Sequence, residues 1–253
     1  MNKISISTEY NLKPLFALNF YVFKTGLMYC AKVQLEDIKC DILCLTYNCE
    51  TNKQIDICVE HLKNLLPKIT SPLIIRGCGN DDIDNILLPE LIKILDRESI
   101  IATVTERNYQ KIVPLTAKFG HWISIRTPID INLAKEMNIL ASELGQPLNK
   151  ILIDSDIGGL GYGLDYGYSM IEKIRLEDEK YLNLPIISFA PEESLKTKEA
   201  RSSELPSEFG KLGDRATDIE IASAAAVVAA GANVVVMNSQ IALNTMKATV
   251  NDG

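Results

Sequence analysis

The feature that most constrains the fold is a regular alternation of short apolar runs with longer stretches of helical periodicity. Within the runs, apolar residues follow one another without polar alternation, which is typical of parallel strands covered on both faces. Eight such strand–helix units predict a single closed (β/α)8 barrel, a TIM barrel of the α/β class. The eight runs are Pro14–Tyr21, Asp41–Thr46, Pro72–Arg76, Ser99–Thr103, His121–Ile125, Lys150–Asp154, Pro185–Phe189 and Asn233–Met237.

Helical spacing of apolar residues fills the intervals between these runs. An open, doubly wound sheet is the alternative, but no G-x-G-x-x-G turn follows the first strand. We expect one domain over residues 1–253, with residues 1–13 as an N-terminal extension and Ala190–Gly213 as a long polar segment. The predicted helices are Gly26–Ile38, Gln54–Leu66, Asp82–Leu95, Asn108–Phe119, Ile131–Leu144, Tyr166–Tyr181, Thr217–Ala230 and a short final helix.

The charge balance excludes some classes of partner. The formal net charge of −7 argues against a nucleic-acid interface, which requires a basic face. Residues 1–10 do not show the pattern of a secretory signal, and the apolar stretch Ile221–Met237 is interrupted by polar and small residues. We therefore expect a cytoplasmic protein that binds neither nucleic acid nor membrane.

Cysteine and histidine are arranged unlike the ligands of a metal site. None of the six cysteines forms a C-x-x-C pair, and the only two histidines are His61 and His121. We interpret the cysteines as small buried residues of a reducing compartment. The sequence thus predicts no iron–sulfur cluster and no protein-bound metal ion in this chain.

In a parallel barrel, functional groups lie on the loops after the carboxyl ends of the strands. Those loops contain polar side chains after the fourth to sixth strands and a glycine-rich turn after the sixth. Glycines allow a large flat or anionic partner to approach the backbone closely, although a tight strand-to-helix turn explains them equally well. The candidate binding residues are Glu106, Asn108, Arg126, Asp130, Asn132, Asp154, Gly158, Gly159, Gly161, Tyr162 and Gly163.

Four of these candidates also have structural interpretations. Asp130 precedes a predicted helix and is a typical N-cap residue. Arg126 and Asp154 end neighbouring strands and are placed to form an ion pair. Asn132 falls in the first turn of the helix that Asp130 begins.

The same loops resemble the small subunit of the corrinoid iron–sulfur protein, which is also the delta subunit of the acetyl-CoA decarbonylase/synthase complex. The resemblance covers roughly Asp41–Met237 and is most specific over Tyr109–Leu176. The matching segments are Asn108–Tyr109, Ile125–Asn132, Asn138–Leu140, Ile153–Tyr166 and Ser169–Leu176.

The resemblance implies a TIM barrel whose rim faces a corrinoid (cobalamin) shared with a large subunit that also holds the iron–sulfur cluster. It implies transient contacts with a methyltransferase and with acetyl-CoA synthase. The implied function is that of a methyl-carrier subunit in the reductive acetyl-CoA pathway, with methyltetrahydrofolate or a pterin analogue as methyl donor. The resemblance implies no catalytic side chain in this chain.

The sequence also departs from that family. Its N-terminal part is shorter, and Trp122 is its only tryptophan. Two alternatives therefore stay open. One is a pterin-dependent methyltransferase in which Asp130, Asn132 and Asp154 hold the pterin ring by hydrogen bonds. The other is a divergent barrel paralogue without a corrinoid function.

Overall fold

A computed structural model describes residues 4–8, 13–23, 26–27, 38–156 and 163–252. The strands are β1 Leu15–Phe23, β2 Gly26–Leu27, β3 Ile42–Tyr47, β4 Leu73–Arg76, β5 Ser99–Val104, β6 Trp122–Arg126, β7 Ile151–Asp154, β8 Ile187–Ser188 and β9 Val234–Met237. Eight of them are parallel and follow the order β7-β6-β5-β4-β3-β1-β9-β8, and a bridge between Ile153 and Ile186 links the two ends of this order. The predicted (β/α)8 barrel is thus confirmed.

Helices lie between the strands and cover the outside of the barrel. Within the described residues, no helix combines the length and the apolar character needed to cross a bilayer. The helices are α1 Ile55–Leu65, α2 Asp81–Ile94, α3 Tyr109–Phe119, α4 Ile131–Glu143, α5 Leu164–Leu176, α6 Ala190–Ser194, α7 Lys198–Arg201, α8 Leu212–Ala230 and α9 Gln240–Asp252.

Two apolar cores follow from the alternation of side chains along each strand. The inward residues, such as Ala17, Ile74 and Trp122, form a core inside the barrel. The outward residues pack against the helices in a larger core. At the amino end, Ile4 joins the inner core, and the Asn233 side chain donates a hydrogen bond to the Ser7 carbonyl at 2.8 Å. The N-terminal segment therefore covers the amino end of the barrel.

Several predicted elements differ from the structure. The helix predicted at Gly26–Ile38 is wrong at the positions that the structure describes. Gly26 and Leu27 form β2, which pairs antiparallel with β1, and Ile38 is not helical. Residues 28–37 lie outside the described residues. Helix α5 ends at Leu176 instead of Tyr181, and α8 begins at Leu212 instead of Thr217. The final helix is 13 residues long, and the polar segment contains α6 and α7.

Candidate functional site

The carboxyl end of the barrel is closed by a layer of polar side chains. On several strands the inner core ends where the next inward position becomes polar, as in the step from Ala17 to Asn19 on β1 or from Ile74 to Arg76 on β4. We call this set the mouth layer. Its members are Asn19, Tyr21, Thr46, Arg76, Arg126, Asp154, Glu192 and Asn238.

One half of the mouth layer is organised by Arg76 and Glu192. The Arg76 guanidinium forms a salt bridge with the Glu192 carboxylate of α6, and both side chains are nearly buried, at 10% and 12% exposure. Tyr21 is hydrogen-bonded to the same carboxylate, and the Arg76 guanidinium stacks 4.5 Å from the centre of the Phe189 ring. Helix α6 is therefore fixed across the mouth by a charged contact.

The ionisation of this pair follows from two opposing effects. Burial is the largest single effect and disfavours both charges, but the attraction between the two groups, together with that of other neighbours such as Tyr21, outweighs it. The pKa of Arg76 is raised and the pKa of Glu192 is lowered, so both groups are charged at neutral pH. Burial next to Glu192 raises the pKa of Tyr21, which stays protonated and is able to donate its hydroxyl hydrogen.

Arg126 organises the other half of the mouth layer. Its Nε lies 3.2 Å from Asp154 Oδ2 and 3.2 Å from Asp156 Oδ1. The second oxygen of Asp154 accepts a hydrogen bond from the Asp156 backbone N–H at 3.0 Å. Burial raises the pKa of Asp156, although Arg126 opposes that shift. The structural interpretation of Arg126 and Asp154 as an ion pair is confirmed.

A chain of neutral hydrogen bonds completes the layer. The Thr46 hydroxyl donates to Asn19 Oδ1 at 2.7 Å, and Asn19 Nδ2 donates to Asn238 Oδ1 at 3.2 Å. These contacts join β3, β1 and β9 around the mouth. Each carboxylate and amide of the mouth layer thus has at least one partner within the chain, and the groups accessible to a ligand lie on the loops outside the layer.

The predicted site residues that the structure describes lie on the loops after three consecutive strands. Glu106 and Asn108 follow β5, Arg126 ends β6, and Asp154 ends β7. Asp130 and Asn132 are exposed at the start of α4. These positions share the carboxyl face of the barrel, as parallel strands require.

The surroundings of individual candidates differ. Asn108 is buried, and its amide bonds the Thr105 N–H at 2.9 Å and the Thr103 carbonyl at 3.1 Å, so it holds its own loop. Asp130 Oδ1 accepts from Asn132 N at 2.9 Å and from Leu133 N at 3.1 Å, which confirms the N-cap interpretation. Glu106 is exposed.

The glycine-rich turn is only partly within the described residues. Gly158, Gly159, Gly161 and Tyr162 lie outside them. Gly163 precedes α5 with a φ of 93°, a conformation that glycine adopts without the steric cost of a Cβ atom. A tight strand-to-helix turn therefore explains at least this glycine.

Sequence reasoning missed Arg76 and Glu192. Arg76 ends an apolar run, and the rule that strand ends carry functional side chains was sufficient to select it. Glu192 gave no such signal, because it lies in a polar segment and its partner is 116 residues away. Within the described part of the chain, no group of three or more histidine, cysteine or carboxylate side chains is placed to hold a metal ion.

A family comparison covers nearly the whole barrel. The model of the CO dehydrogenase/acetyl-CoA synthase delta subunit matches residues 22–248. The chain belongs to this delta-subunit family. The resemblance found in the rim loops is thereby confirmed.

Curated relatives carry the same description. The acetyl-CoA decarbonylase/synthase complex subunit delta of Archaeoglobus fulgidus is 32% identical over 136 residues, which are 51% of this chain and 30% of the relative. The subunit delta of Methanocaldococcus jannaschii is 25% identical over 191 residues, 74% of this chain and 46% of the relative. The part of this chain that aligns thus covers less than half the length of either relative.

Solved structures with a similar fold are dihydropteroate synthases. The enzyme from Xanthomonas albilineans superposes with a TM-score of 0.66 at 12% identity, covering 96% of this chain and 94% of that one. The enzyme from Thermus thermophilus superposes with a TM-score of 0.64 at 14% identity, covering 96% and 95%. At this level of identity, the similarity shows the fold of the delta-subunit family member and nothing about its ligand.

Proposed function

We propose that this chain is the non-catalytic half of a methyl carrier and that its carboxyl rim covers a corrinoid held mainly by a large iron–sulfur subunit. Membership of the delta-subunit family supports the methyl-carrier role. The observation that carries the proposal is the contrast between a mouth layer whose charges are paired and an exposed rim around it.

The chemistry of the rim fits a corrinoid. A corrin ring has a broad apolar face and amide groups at its edge, so it is recognised by apolar contacts with a few hydrogen-bonding groups. Ile129 and Tyr166 are 44% and 66% exposed on the loop after β6 and at the start of α5. Exposed Glu106 and Asn132 on the same face supply carboxylate and amide oxygens.

When bound, the corrinoid supplies the cobalt atom that carries the methyl group. The residues of this chain would position the ring and exclude water from one side of it. Glu106 and Asn132 would accept or donate hydrogen bonds at the ring edge, and Ile129 would contact its face. The paired charges of Arg126 and Asp154 would stiffen the loops from which these groups project.

The pterin alternative receives less support from the side chains that it requires. Asp130 Oδ1 accepts two backbone N–H groups of α4. Both oxygens of Asp154 are also engaged, one by Arg126 and the other by the Asp156 N–H. A pterin ring would therefore have to compete with Arg126 and the Asp156 N–H for the Asp154 carboxylate. Calorimetry with methyltetrahydrofolate tests this alternative, and heat that saturates at submillimolar ligand would favour it.

The proposal is tested by anaerobic mixing of this chain with a purified corrinoid-bearing large subunit. Size-exclusion chromatography monitored in the visible should show the corrinoid absorbance moving to the mass of a heterodimer. Separate elution of the two chains at micromolar concentration would contradict the proposal. We further propose that the assembled heterodimer delivers its methyl group to acetyl-CoA synthase.

A further inference from the structure

A cavity lies outside the barrel wall, between strand β1 and helices α8 and α9. Its volume is about 390 Å³, which lies in the range of small-molecule sites. The walls are mainly apolar. Its described lining residues are Leu18, Phe20, Leu195, Gly213, Ala216, Thr217, Glu220, Asn238, Ser239, Gln240 and Ile241.

Glu220 places a buried carboxylate on the wall of this cavity. The residue is 1% exposed, and its Oε1 accepts the backbone N–H of Asn238 at 2.6 Å and that of Ser239 at 3.1 Å. Burial raises its pKa to about 7, although these two N–H groups oppose the shift. A carboxylate buried without a cationic partner costs free energy that a positively charged group would recover.

Two further polar atoms among the lining residues have no hydrogen-bond partner. Gln240 Oε1 and Asn238 Nδ2 are both buried and unpaired. Most buried polar atoms in folded proteins are paired, so unpaired atoms require an explanation. A ligand that hydrogen-bonds to them would remove this cost.

The charge of the cavity defines the class of ligand. The described lining residues come from β1, from the residue after α6, from α8, and from the end of β9 through the start of α9. Glu220 is the only titratable side chain among them. An anion would therefore meet a carboxylate and no cation. A cation would meet one opposite charge in apolar surroundings, where the attraction is stronger than in water.

We propose that this cavity binds a small molecule with an apolar body and a protonated amine or amidine group, whose N–H groups donate to Glu220 and Gln240. The apolar body contacts Leu18, Phe20 and Ile241. The cavity shares Asn238 with the mouth layer but contains none of the candidate corrinoid-binding residues, and the inference does not depend on a corrinoid function.

Benzamidine is a suitable probe, and benzamide is its neutral counterpart of the same shape. Calorimetry with the full chain near pH 7, in two buffers that differ in ionisation enthalpy, measures both affinity and proton exchange. We expect benzamidine to bind and to release a proton, because the cation favours the ionised form of Glu220. We expect benzamide to bind at least roughly tenfold more weakly than benzamidine and to release no proton.

Three variants separate the site from general effects on folding. Glu220→Gln should lose the proton release and weaken benzamidine binding by roughly tenfold or more. Ala216→Leu should also weaken binding, because it fills the cavity and leaves Glu220 in place. Asp218→Asn, at an exposed position of the same helix, should bind like the unaltered chain.

The proposal is overturned by any of three results. The first is that benzamidine does not bind at millimolar concentration, and the second is that benzamidine and benzamide bind equally well. The third is that Glu220→Gln and Ala216→Leu both bind benzamidine as tightly as the unaltered chain does. Thermal unfolding of each variant without ligand shows whether the variant is folded, so a folded variant that binds normally counts directly against the site.

Discussion

The Nε atom of Arg126 lies 3.2 Å from Oδ2 of Asp154, and this ion pair joins the carboxyl ends of neighbouring strands β6 and β7. The side chain of Asp154 is 2% exposed and that of Arg126 is 22% exposed. A buried carboxylate depends on its partner, because the loss of one charge leaves the other desolvated and unpaired. The pair therefore fixes the base of the loops that form the candidate rim.

We expect Arg126→Met to lower the free energy of unfolding by about 3–5 kcal/mol, since it leaves the Asp154 charge buried without its partner. Addition of Asp154→Asn should restore part of the loss, because it removes the unpaired charge. Urea denaturation of the single and double variants measures both effects. Arg107→Met is the matched control: Arg107 is 83% exposed and 3.7 Å from Asp81, so its loss should cost less than about 1 kcal/mol. Equal effects at both arginines would contradict this account.

Gly77 allows the loop after β4 to close on a buried carboxylate. A Cβ atom at Gly77 would lie 2.3 Å from Asp84 Oδ1, which accepts the Cys78 N–H at 2.9 Å. We expect Gly77→Ala to destabilise the protein by roughly 1–3 kcal/mol, because the side chain of Asp84 has to move. The control Gly213→Ala meets no atom within 4 Å and should stabilise the protein by about 0.4–1 kcal/mol. Thermal unfolding distinguishes them, and similar effects of the two substitutions would contradict the geometry.

Glu220 should make stability depend on pH. Its pKa is raised from 4.5 to about 7 in the folded chain, so the folded state binds more protons than the unfolded state between these values. The stabilising contribution is complete below pH 4.5 and is lost as the pH rises through 7. The free energy of unfolding of Glu220→Gln, relative to that of the unaltered chain, should thus increase with pH by up to about 3 kcal/mol. Urea denaturation at several pH values measures this difference, and a constant difference would show that Glu220 has no raised pKa.

The sequence predicted the barrel well because its strands are encoded locally. Apolar runs such as Pro72–Arg76 agree with the observed strands to within a few residues. The antiparallel pairing of β1 with β2 was missed, since helical spacing does not reveal that Val22 pairs with Leu27. Helix α8 was predicted too short because Gly213 and Asp214 are weak helix formers in isolation.

The candidate site was predictable only in part. Each loop after a strand is recognisable along the chain, so the shared face of Glu106, Asn132 and Asp154 followed from the fold. The contact of Arg76 with Glu192 did not follow, because it joins β4 to α6 across the mouth. Pairing of distant charges depends on the exact position of α6, which local sequence does not determine.

In the proposed complex the carboxyl rim, and not the opposite end of the barrel, binds the corrinoid-bearing partner. A rim variant combines Glu106→Ala, Asp130→Asn and Asn132→Ala, in which asparagine keeps the N-cap of α4. A control with the same three types of change at exposed positions of the amino end combines Glu177→Ala, Asp178→Asn and Asn149→Ala.

The most direct test is the dissociation constant of each variant for the corrinoid-bearing large subunit, measured anaerobically by the visible absorbance that co-elutes with this chain. We expect the rim variant to bind at least roughly tenfold more weakly than the unaltered chain, whereas the control variant should bind like the unaltered chain. Weaker binding by the control alone, or equal binding by all three proteins, would contradict this expectation.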